Sequence, residues 1–546
     1  MVRKLLGLLG LHKKFEAPEM RRVYEEGRFS AFFERSIIIK YCIGALAFIS
    51  TAMILVHDGD IYQIKERLFL SLMVMIVAIA YMNFQLKDVI DRNSKVLLVT
   101  VTGLGNLLLA KFLFLYVGPY MVDDLPTFQQ PLPMAVFLVP TALAPLLITT
   151  LMGVGAGTFI VIFLSVLTAI IFDNSFQMLI IGLLTGFIGV YYTRNVRKRS
   201  DLIRAGIWVG LTSLLCACAF GLIHGIHIST LWGHGITESP ELRMAVRQAL
   251  WGVIIGFMTA LLAGGILPLL ENIFKITTNI SWLELCDFNH PLLKEMSISA
   301  PGTYHHSLNV ANLSESVAEA VKANALECRV CSYFHDIGKM VKPEYFIENS
   351  NVERNPHNKL NPQMSALIIS AHVKEGVDLA MKYKLNKEII DVIREHHGTS
   401  LITYFYHRAK RLSEDATLGS KILDMNCDDV PDVDENTYRY PGPKPHSKES
   451  AIISICDAVE AASRCLQKPT PQRIEDLING IIEHKIHDGQ FDQADLTLGE
   501  LNIIRGKLVF MLTNMLHARI NYPKPDEDKD KPLEEGKVAL FKSAQT

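Results

Sequence analysis

Residues 248–275 read QALWGVIIGFMTALLAGGILPLLENIFK. From Gln248 to Leu270 no side chain carries charge. At 1.5 Å of rise per residue, a helix of that stretch covers the roughly 30 Å of hydrocarbon in a bilayer. After Pro268 the pattern turns amphipathic, through Glu271, Asn272 and Lys275 to Trp282, Leu283 and Leu285. The chain leaves the bilayer here. Nearly all of its long apolar runs lie before residue 272, and nearly all of its histidine and carboxylate chemistry lies after it.

The overall composition averages these two unlike halves. The chain has 546 residues, 49% hydrophobic and 20% charged, with a mean hydropathy of +0.23. Soluble chains carry about 25% charged residues, so neither a wholly soluble nor a wholly membrane-buried protein fits. A net charge of −2 and an isoelectric point near 6.8 exclude a dedicated binder of nucleic-acid polymers, which needs a strongly basic domain. The 9 cysteines are scattered, and Cys42, Cys216 and Cys218 sit inside apolar runs, which reads as reduced intracellular thiols. Cys328 and Cys331 have CxxC spacing with no second pair, so they read as core packing on a helix.

Before residue 272, apolar runs lie near 37–56, 67–84, 96–117, 132–150, 153–172, 177–193, 202–226 and 248–270, which predicts about eight spans. Only a Gly-rich turn, Met152 to Gly157, separates the fourth run from the fifth, and Pro140 and Pro145 kink the fourth. Lysines and arginines crowd the first 36 residues and the loop at 193–204, which places both on the cytoplasmic side. An even number of spans then returns the chain to the cytoplasm after residue 270. Lys111 lies within the third run, and its place near the span end reads as snorkelling rather than ion transport. The run Leu5–Leu11 imitates a signal peptide but is too short to span and has no close cleavage site.

Beyond the connector at 271–300, the helical period dominates. It predicts helices at 307–325, 326–335, 362–383, 386–397, 400–412, 447–467, 471–486 and 498–519. Asn386 fits an N-cap, Gly398 a C-terminal glycine and Ser447 another N-cap. Residues 413–446 read as irregular, with an acidic centre from Asp424 to Glu435 whose spacing does not match an EF-hand. The tail at 523–546 alternates Asp, Glu, Lys and Pro and reads as disordered.

The chemistry gathers on a few positions. His335-Asp336 is followed by Gly338-Lys339 and accompanied by His306, His372, His396, His397 and Asp457. Imidazoles and carboxylates suit Fe, Mn or Zn. A carboxylate can bridge two metals about 3.5–4 Å apart, an arrangement that cuts phosphodiesters by in-line attack. The helix at 447–467 is apolar almost all round, so Asp457 in its middle is buried, and a buried carboxylate needs a metal or an ion pair. Helix neighbours point about 100° apart, so His396 and His397 share one ion only at a loosened turn, which Gly398 supplies. Taken alone, His372 reads equally well as a hydrogen-bonded core histidine. His305, His357 and His407 read as non-ligands.

His306, His335-Asp336 and Asp457 form the ligand pattern of the HD phosphohydrolases. The wider match includes Asn289-His290-Pro291-Leu292-Leu293, Ala300-Pro301-Gly302-Thr303-Tyr304-His305-His306-Ser307, Tyr333-Phe334-His335-Asp336-Ile337-Gly338-Lys339, Phe346-Ile347-Glu348-Asn349, His396-His397-Gly398-Thr399 and Tyr440-Pro441-Gly442-Pro443-Lys444-Pro445. With a multi-span half before it, the chain from about residue 67 to 522 resembles the bacterial seven-transmembrane HD family of cyclic-di-AMP phosphodiesterases. The resemblance implies an all-α protein: a cytoplasmic segment (1–36), a polytopic bundle (37–270), a connector (271–300), a cytoplasmic HD domain (301–522) and the charged tail. It implies a multi-pass protein of the bacterial cytoplasmic membrane, with the lipid bilayer and a cyclic dinucleotide as its partners. It implies two divalent metals, manganese or iron. One would take His306, His335 and Asp457, the other His372, His396 and His397, with Asp336 bridging. Cyclic-di-AMP would be opened to pApA by a hydroxide activated between the metals, with Lys339 neutralising phosphate charge.

Two departures accompany the resemblance. Family members commonly carry a large extracytoplasmic domain after the first span, whereas here only residues 57–66 fill that gap. The stretch between Tyr406 and Pro441 looks like an insertion that could alter substrate access. Two other readings compete. A hydrolase of cyclic-di-GMP would carry HHExxDGxGYP after its paired histidines, but Gly398-Thr399-Ser400 follows here; a (p)ppGpp hydrolase stays open. A membrane receptor that binds nucleotide without catalysis predicts missing ligands, yet every expected position is filled. A second copy of the chain, as a homodimer, is a further candidate partner.

Overall fold

The computed structural model describes residues 32–34, 36–56, 61–117, 135–223, 240–350, 355–422, 433–466 and 469–516. Among them the secondary structure is helical, with no strand and one isolated antiparallel bridge, Leu401 to Arg439. The chain is all-α. By internal contacts it forms two units. The first is Met1–Ala300 with Ile337–Val341 and Ser370–Asp391; the second is Pro301–Asp336 with Lys342–Ile369 and Val392–Thr546.

The first unit holds α1 (Ile37–Leu55), α2 (Ile61–Gln85), α3 (Asn93–Phe112), α4 (Leu143–Met152), α5 (Val154–Ile171), α6 (Phe176–Thr193), α7 (Arg199–Ile223) and α8 (Pro240–Phe274). Among the described residues, 7 helical segments are long and apolar enough to cross a membrane: α1, α2, α3 with its extension to Val117, α5, α6, and stretches of α7 and α8. Large apolar side chains such as Met53, Phe84 and Leu215 are exposed on these helices. On predominantly apolar spans of this length such a surface faces lipid rather than water.

The run expected at 132–150 differs from the others. Its described part is a short helix, Ala135–Leu138, then α4, together the shorter apolar stretch Val136–Met152. Pro140 breaks it, having no N–H to give the ladder. The Pro140 carbonyl accepts from Asn106 Nδ2 at 3.1 Å and from Leu143 N. Pro145 falls in the first turn of α4, where proline is tolerated. Gly153, at φ +88°, turns the chain into α5.

Small residues bring α7 against α8. A Cβ on Gly256 would strike the backbone of Gly206 and Gly210, and one on Gly252 would strike Ser213. This is the close helix approach that glycines four apart allow in a membrane. At the end of α1, cations meet the unpaired carbonyls. Lys111 Nζ donates to Met53 O and Val56 O at 3.3 and 3.2 Å, and Arg67 reaches Leu55 O at 3.4 Å and Asp173 at 2.7 Å. The intramembrane lysine is therefore a helix cap, a role favoured by the negative end of the helix dipole.

Helix α8 does not stop at Pro268 but runs on to Phe274, and Lys275 at φ +53° ends it. Thr278 caps α9 (Asn279–Leu285), while Glu271 accepts from Thr278 and from Ser281 at 3.0 Å. In the next motif His290 caps α10 (Pro291–Ser299) by accepting from Leu292 N, and Pro291 fills the first helical position.

The second unit is built on α11 (Pro301–Ala320), which packs against α12 (Ala325–Phe334), α16 (Lys448–Ser463) and α18 (Leu498–Met515). α17 (Pro471–His487) packs on α16 and α18. Val310, Val317, Cys328, Ile452, Val459 and Ile504 form its fully buried core. Cys328 and Cys331 are buried and form no disulfide, and burial pushes the Cys328 thiol up. Helices α13 (Pro362–Lys382) and α14 (Lys387–Glu395) each pass from one unit to the other along the chain. Ser447 caps α16, and Gly398 takes φ +54° after α14. Helix α15 (Thr403–Ile422) outruns its expected end at 412. The acidic positions Asp424, Asp428, Asp429 and Asp432, the tail and Leu5–Leu11 lie outside the described residues. Asp434 accepts from Asn436 N and so caps a one-turn helix.

Candidate metal centre

Helix α11 carries His306, the end of α12 carries His335 and Asp336, and the turn after α14 carries His396 and His397. Asp457 comes from the middle of α16, where every neighbour from Ser450 to Asp457 is buried. Ligand atoms of His306, His335, Asp336 and Asp457 lie within 4.8 Å of one another, and those of Asp336, His396 and His397 do the same. His306 Nε2 stands 2.9 Å from Asp457 Oδ1 and 3.6 Å from Asp336 Oδ2. His335 Nε2 is 3.2 Å from the same Asp336 oxygen. The other oxygen, Oδ1, faces His396 Nε2 at 3.6 Å. His397 Nδ1 is 3.6 Å from Asp457 Oδ2. Asp336 thus presents one oxygen to each histidine group.

The far side of each inner imidazole is tied down. His335 Nδ1 donates to Ser332 O at 2.7 Å, and His396 Nδ1 donates to Ile393 O at 2.9 Å. His306 Nδ1 donates to Glu460 Oε2 at 2.5 Å. Each bond puts the proton on Nδ1 and turns the Nε2 lone pair inward, as metal-ligating histidines require. The donors fit divalent transition metals: imidazole nitrogens and carboxylate oxygens, buried, with the tautomers already set.

The carboxylates also draw positive charge to the centre. Burial pushes the His335 imidazole down, yet Asp336 and Asp457 overcome it and hold it up to about 10. Burial raises Asp457, but His306 and His335 hold it well below the usual carboxylate range. The pocket favours positive charge strongly.

Glu460 was not singled out from the sequence. It is buried and also accepts from Asn309 at 3.0 Å and Arg464 at 2.6 Å. Its signal was present, since Glu460 follows Asp457 by three positions and so shares its helix face. Lys485 was also missed. It is buried on α17 and donates to Ser454 Oγ at 2.9 Å; burial lowers its pKa while Asp457 and Asp488 pull it up.

The motifs around the centre brace one another. Asn349 accepts from Thr303 N and donates to Thr303 Oγ1, which bonds Glu348, so Pro301-Gly302-Thr303 and Glu348-Asn349 are one joint. Gly302 is required because a Cβ there would strike the Glu348 carbonyl. The turn that carries His396 and His397 is clamped through Thr399. Its N–H and hydroxyl bond Gln490, and its carbonyl accepts from Arg439 at 2.8 Å. Tyr440 stacks on His397 with centroids 4.3 Å apart. His397, at 21% side-chain exposure, is the most open of these six ligand candidates.

His372 is buried on α13, in the part belonging to the first unit. Gly338 lies so close that a Cβ would strike the His372 carbonyl. Lys339 is half-buried in the adjoining turn Ile337–Val341. Of the expected non-ligands, His357 donates from Nε2 to Tyr345 O at 2.9 Å and packs on Phe405.

Comparisons with known proteins give the family. Residues 61–278 match the family described as a 7TM receptor with intracellular HD hydrolase, and residues 303–462 match the HD domain. The chain is 39% identical to the cyclic-di-AMP phosphodiesterase PgpH of Bacillus subtilis, over 71% of this chain and 51% of that one. It is 39% identical to PgpH of Listeria monocytogenes, over 72% and 51%. It therefore spans about half the length of the curated relatives it matches. The crystal structure of the L. monocytogenes PgpH HD domain in complex with cyclic-di-AMP is 45% identical, covering 43% of this chain and 100% of that one, with a TM-score of 0.38. A multi-pass apolar half and an HD domain with its histidine and aspartate cluster stand in one chain, and the protein belongs to the seven-transmembrane HD hydrolase family.

Proposed function

We propose that the protein is a membrane-anchored metallophosphodiesterase that hydrolyses cyclic-di-AMP to pApA. The observation that carries this reading is Asp336, with one oxygen toward His306 and His335 and the other toward His396. In this reading two divalent ions, manganese or iron, would be held by these residues: His306, His335 and Asp457 would take one, His396, His397 and His372 the other, and Asp336 would serve both. Divalent metals held there supply Lewis acidity and an activated water to a phosphodiester.

The chain's own residues have separate tasks. Ser332, Ile393 and Glu460 keep the Nδ1 protons and hence the inward lone pairs. Substrate enters beside His397 and Tyr440, the open edge of the centre, and Lys339 neutralises phosphate charge. Sequence similarity to the two PgpH proteins supports cyclic-di-AMP as substrate.

The HD domain and the N-terminus lie on the cytoplasmic side. The basic loop at 193–204 supports this, and so does the count of spans. Within 61–278, six full-length segments and the broken stretch Val136–Met152 make the seven crossings that the family's name states.

The test is turnover by the purified full chain with Mn²⁺, offered cyclic-di-AMP, cyclic-di-GMP and ppGpp, with products separated by chromatography. Release of pApA from cyclic-di-AMP is expected. Turnover of ppGpp alone, or binding without turnover of any of the three, overturns the reading.

A further inference from the structure

The membrane half contains a cavity of about 800 Å³ between α1, α2, α3 and α5. Ligand sites usually occupy about 300–1,000 Å³. Its shape is long. Lining residues run along α1 from Ile37 to Thr51, which at 1.5 Å per residue is about 21 Å, or roughly two-thirds of the hydrocarbon thickness. Tyr41 and Ile79 line it and are exposed, so it opens outward between α1 and α2.

The interior is apolar in effect as well as in composition. Thr100 Oγ1 donates to Val96 O at 2.9 Å, and Asn83 Nδ2 donates to Ile79 O at 2.9 Å. Each of these two side chains gives a donor to its own helix, and most of the remaining lining is apolar. Charge enters at one end. Lys40, in the first turn of α1, is the lining residue that carries it. Asn83 and Tyr41 mark the same end, because α2 returns alongside α1.

A long apolar groove with a cation at the membrane boundary is complementary to an amphiphile with an anionic head. The geometry points to an intramembrane lipid site that takes one acyl chain of an anionic phospholipid, with the headgroup phosphate at Lys40. The reading rests on the membrane half and is independent of the proposed reaction. Its space comes from small residues. A Cβ on Gly44 meets nothing within 4 Å, and one on Gly103 meets only Leu164 and Ile160 at 3.7 and 4.0 Å.

The test places the full chain in vesicles of phosphatidylglycerol doped with phosphatidylglycerol bearing a photoreactive acyl chain. Labelled positions are mapped by mass spectrometry after illumination. Labelling is expected to concentrate on Phe48, Leu104 and Phe163, which line the groove, over Leu215 and Leu262, exposed on α7 and α8. Gly44→Phe and Gly103→Phe fill the groove and should abolish labelling there while leaving Leu215 and Leu262 unchanged. Lys40→Gln, a milder change, should lower groove labelling about fivefold, the effect of one lysine at an anionic surface. It should leave labelling by a phosphatidylcholine probe with the same chain unaltered. Equal labelling of groove and outer positions overturns the site. Undiminished labelling in a filled variant that still runs as a single species on gel filtration also overturns it. An equal loss with both probes on Lys40→Gln overturns the headgroup assignment.

Discussion

Glu460 Oε2 accepts the Nδ1 proton of His306 at 2.5 Å, which leaves His306 Nε2 facing Asp457 and Asp336. Burial raises the Glu460 carboxyl, but hydrogen bonds from His306, Arg464 and Asn309 outweigh it and hold the group ionised. Outer partners of this kind are worth about 10–100-fold in metal affinity. Glu460→Ala should weaken metal binding by that factor while α16 stays folded. Titration of the metal-free protein with Mn²⁺ measures it, and wild-type affinity in the variant would remove Glu460 from the site.

Asp336 is the residue both histidine groups face. Asp336→Asn should reduce bound metal below the about two ions per chain expected of a bridged pair, and hydrolysis should be lost with it. Elemental analysis alongside the turnover assay reads both. Full metal content together with full activity in this variant would falsify the bridging role.

Gly398 takes φ +54°, and a Cβ there would strike the Gln490 side chain that clamps Thr399. Gly398→Ala should cost about 1–3 kcal/mol of backbone strain and clash. Thermal unfolding should show the loss. Metal affinity should fall further than in a variant of equal stability changed elsewhere, because His396 and His397 ride on this turn.

Asp488 and Arg439 pair at 3.0 and 3.1 Å. Burial raises the Asp488 carboxyl, but Arg439 and Gln490 lower it further, so the folded pKa lies below the unfolded value near about 3.9. Protons are therefore taken up on unfolding. The stabilisation is full above about pH 4 and is lost as the pH falls through the lower folded value. Hydrogen exchange of the 399–402 amides should show wild type exceeding Asp488→Asn at pH 6, with the gap closing below pH 4. A constant gap would rule the titration out.

Gly256 lies against the backbone of Gly206 and Gly210. Gly256→Leu should destabilise the α7–α8 pair by about 1–3 kcal/mol of overpacking. Detergent-solubilised protein should unfold at lower temperature, and hydrolysis at low temperature should persist. An unchanged midpoint would mean that the two helices do not meet through these glycines.

Much of this protein was legible before folding. The uncharged run Gln248–Leu270 and its fellows announce membrane helices because twenty-odd apolar residues have no soluble use. Asp457 announced a site because a carboxylate in the middle of a helix apolar almost all round must be compensated. Other features were hidden for definite reasons. The Pro140 carbonyl at the break is bonded by Asn106, far along the chain. Lys111 read as snorkelling because its partners, the last carbonyls of α1, come from a different helix. Gln490 and Arg439 bind the Thr399 turn across wide sequence separations that no local pattern reports.

The sequence by itself determined the two solvents of the chain, the helical class and the candidate ligand residues, because hydrophobic period and donor chemistry are local properties. Only the tertiary structure decided that Asp336 presents an oxygen to each histidine group, and that Glu460, Ser332 and Ile393 set the imidazole tautomers. It alone placed a charged mouth on a long apolar groove. These depend on distances between segments far apart in the chain, and such distances exist only once the helices have packed.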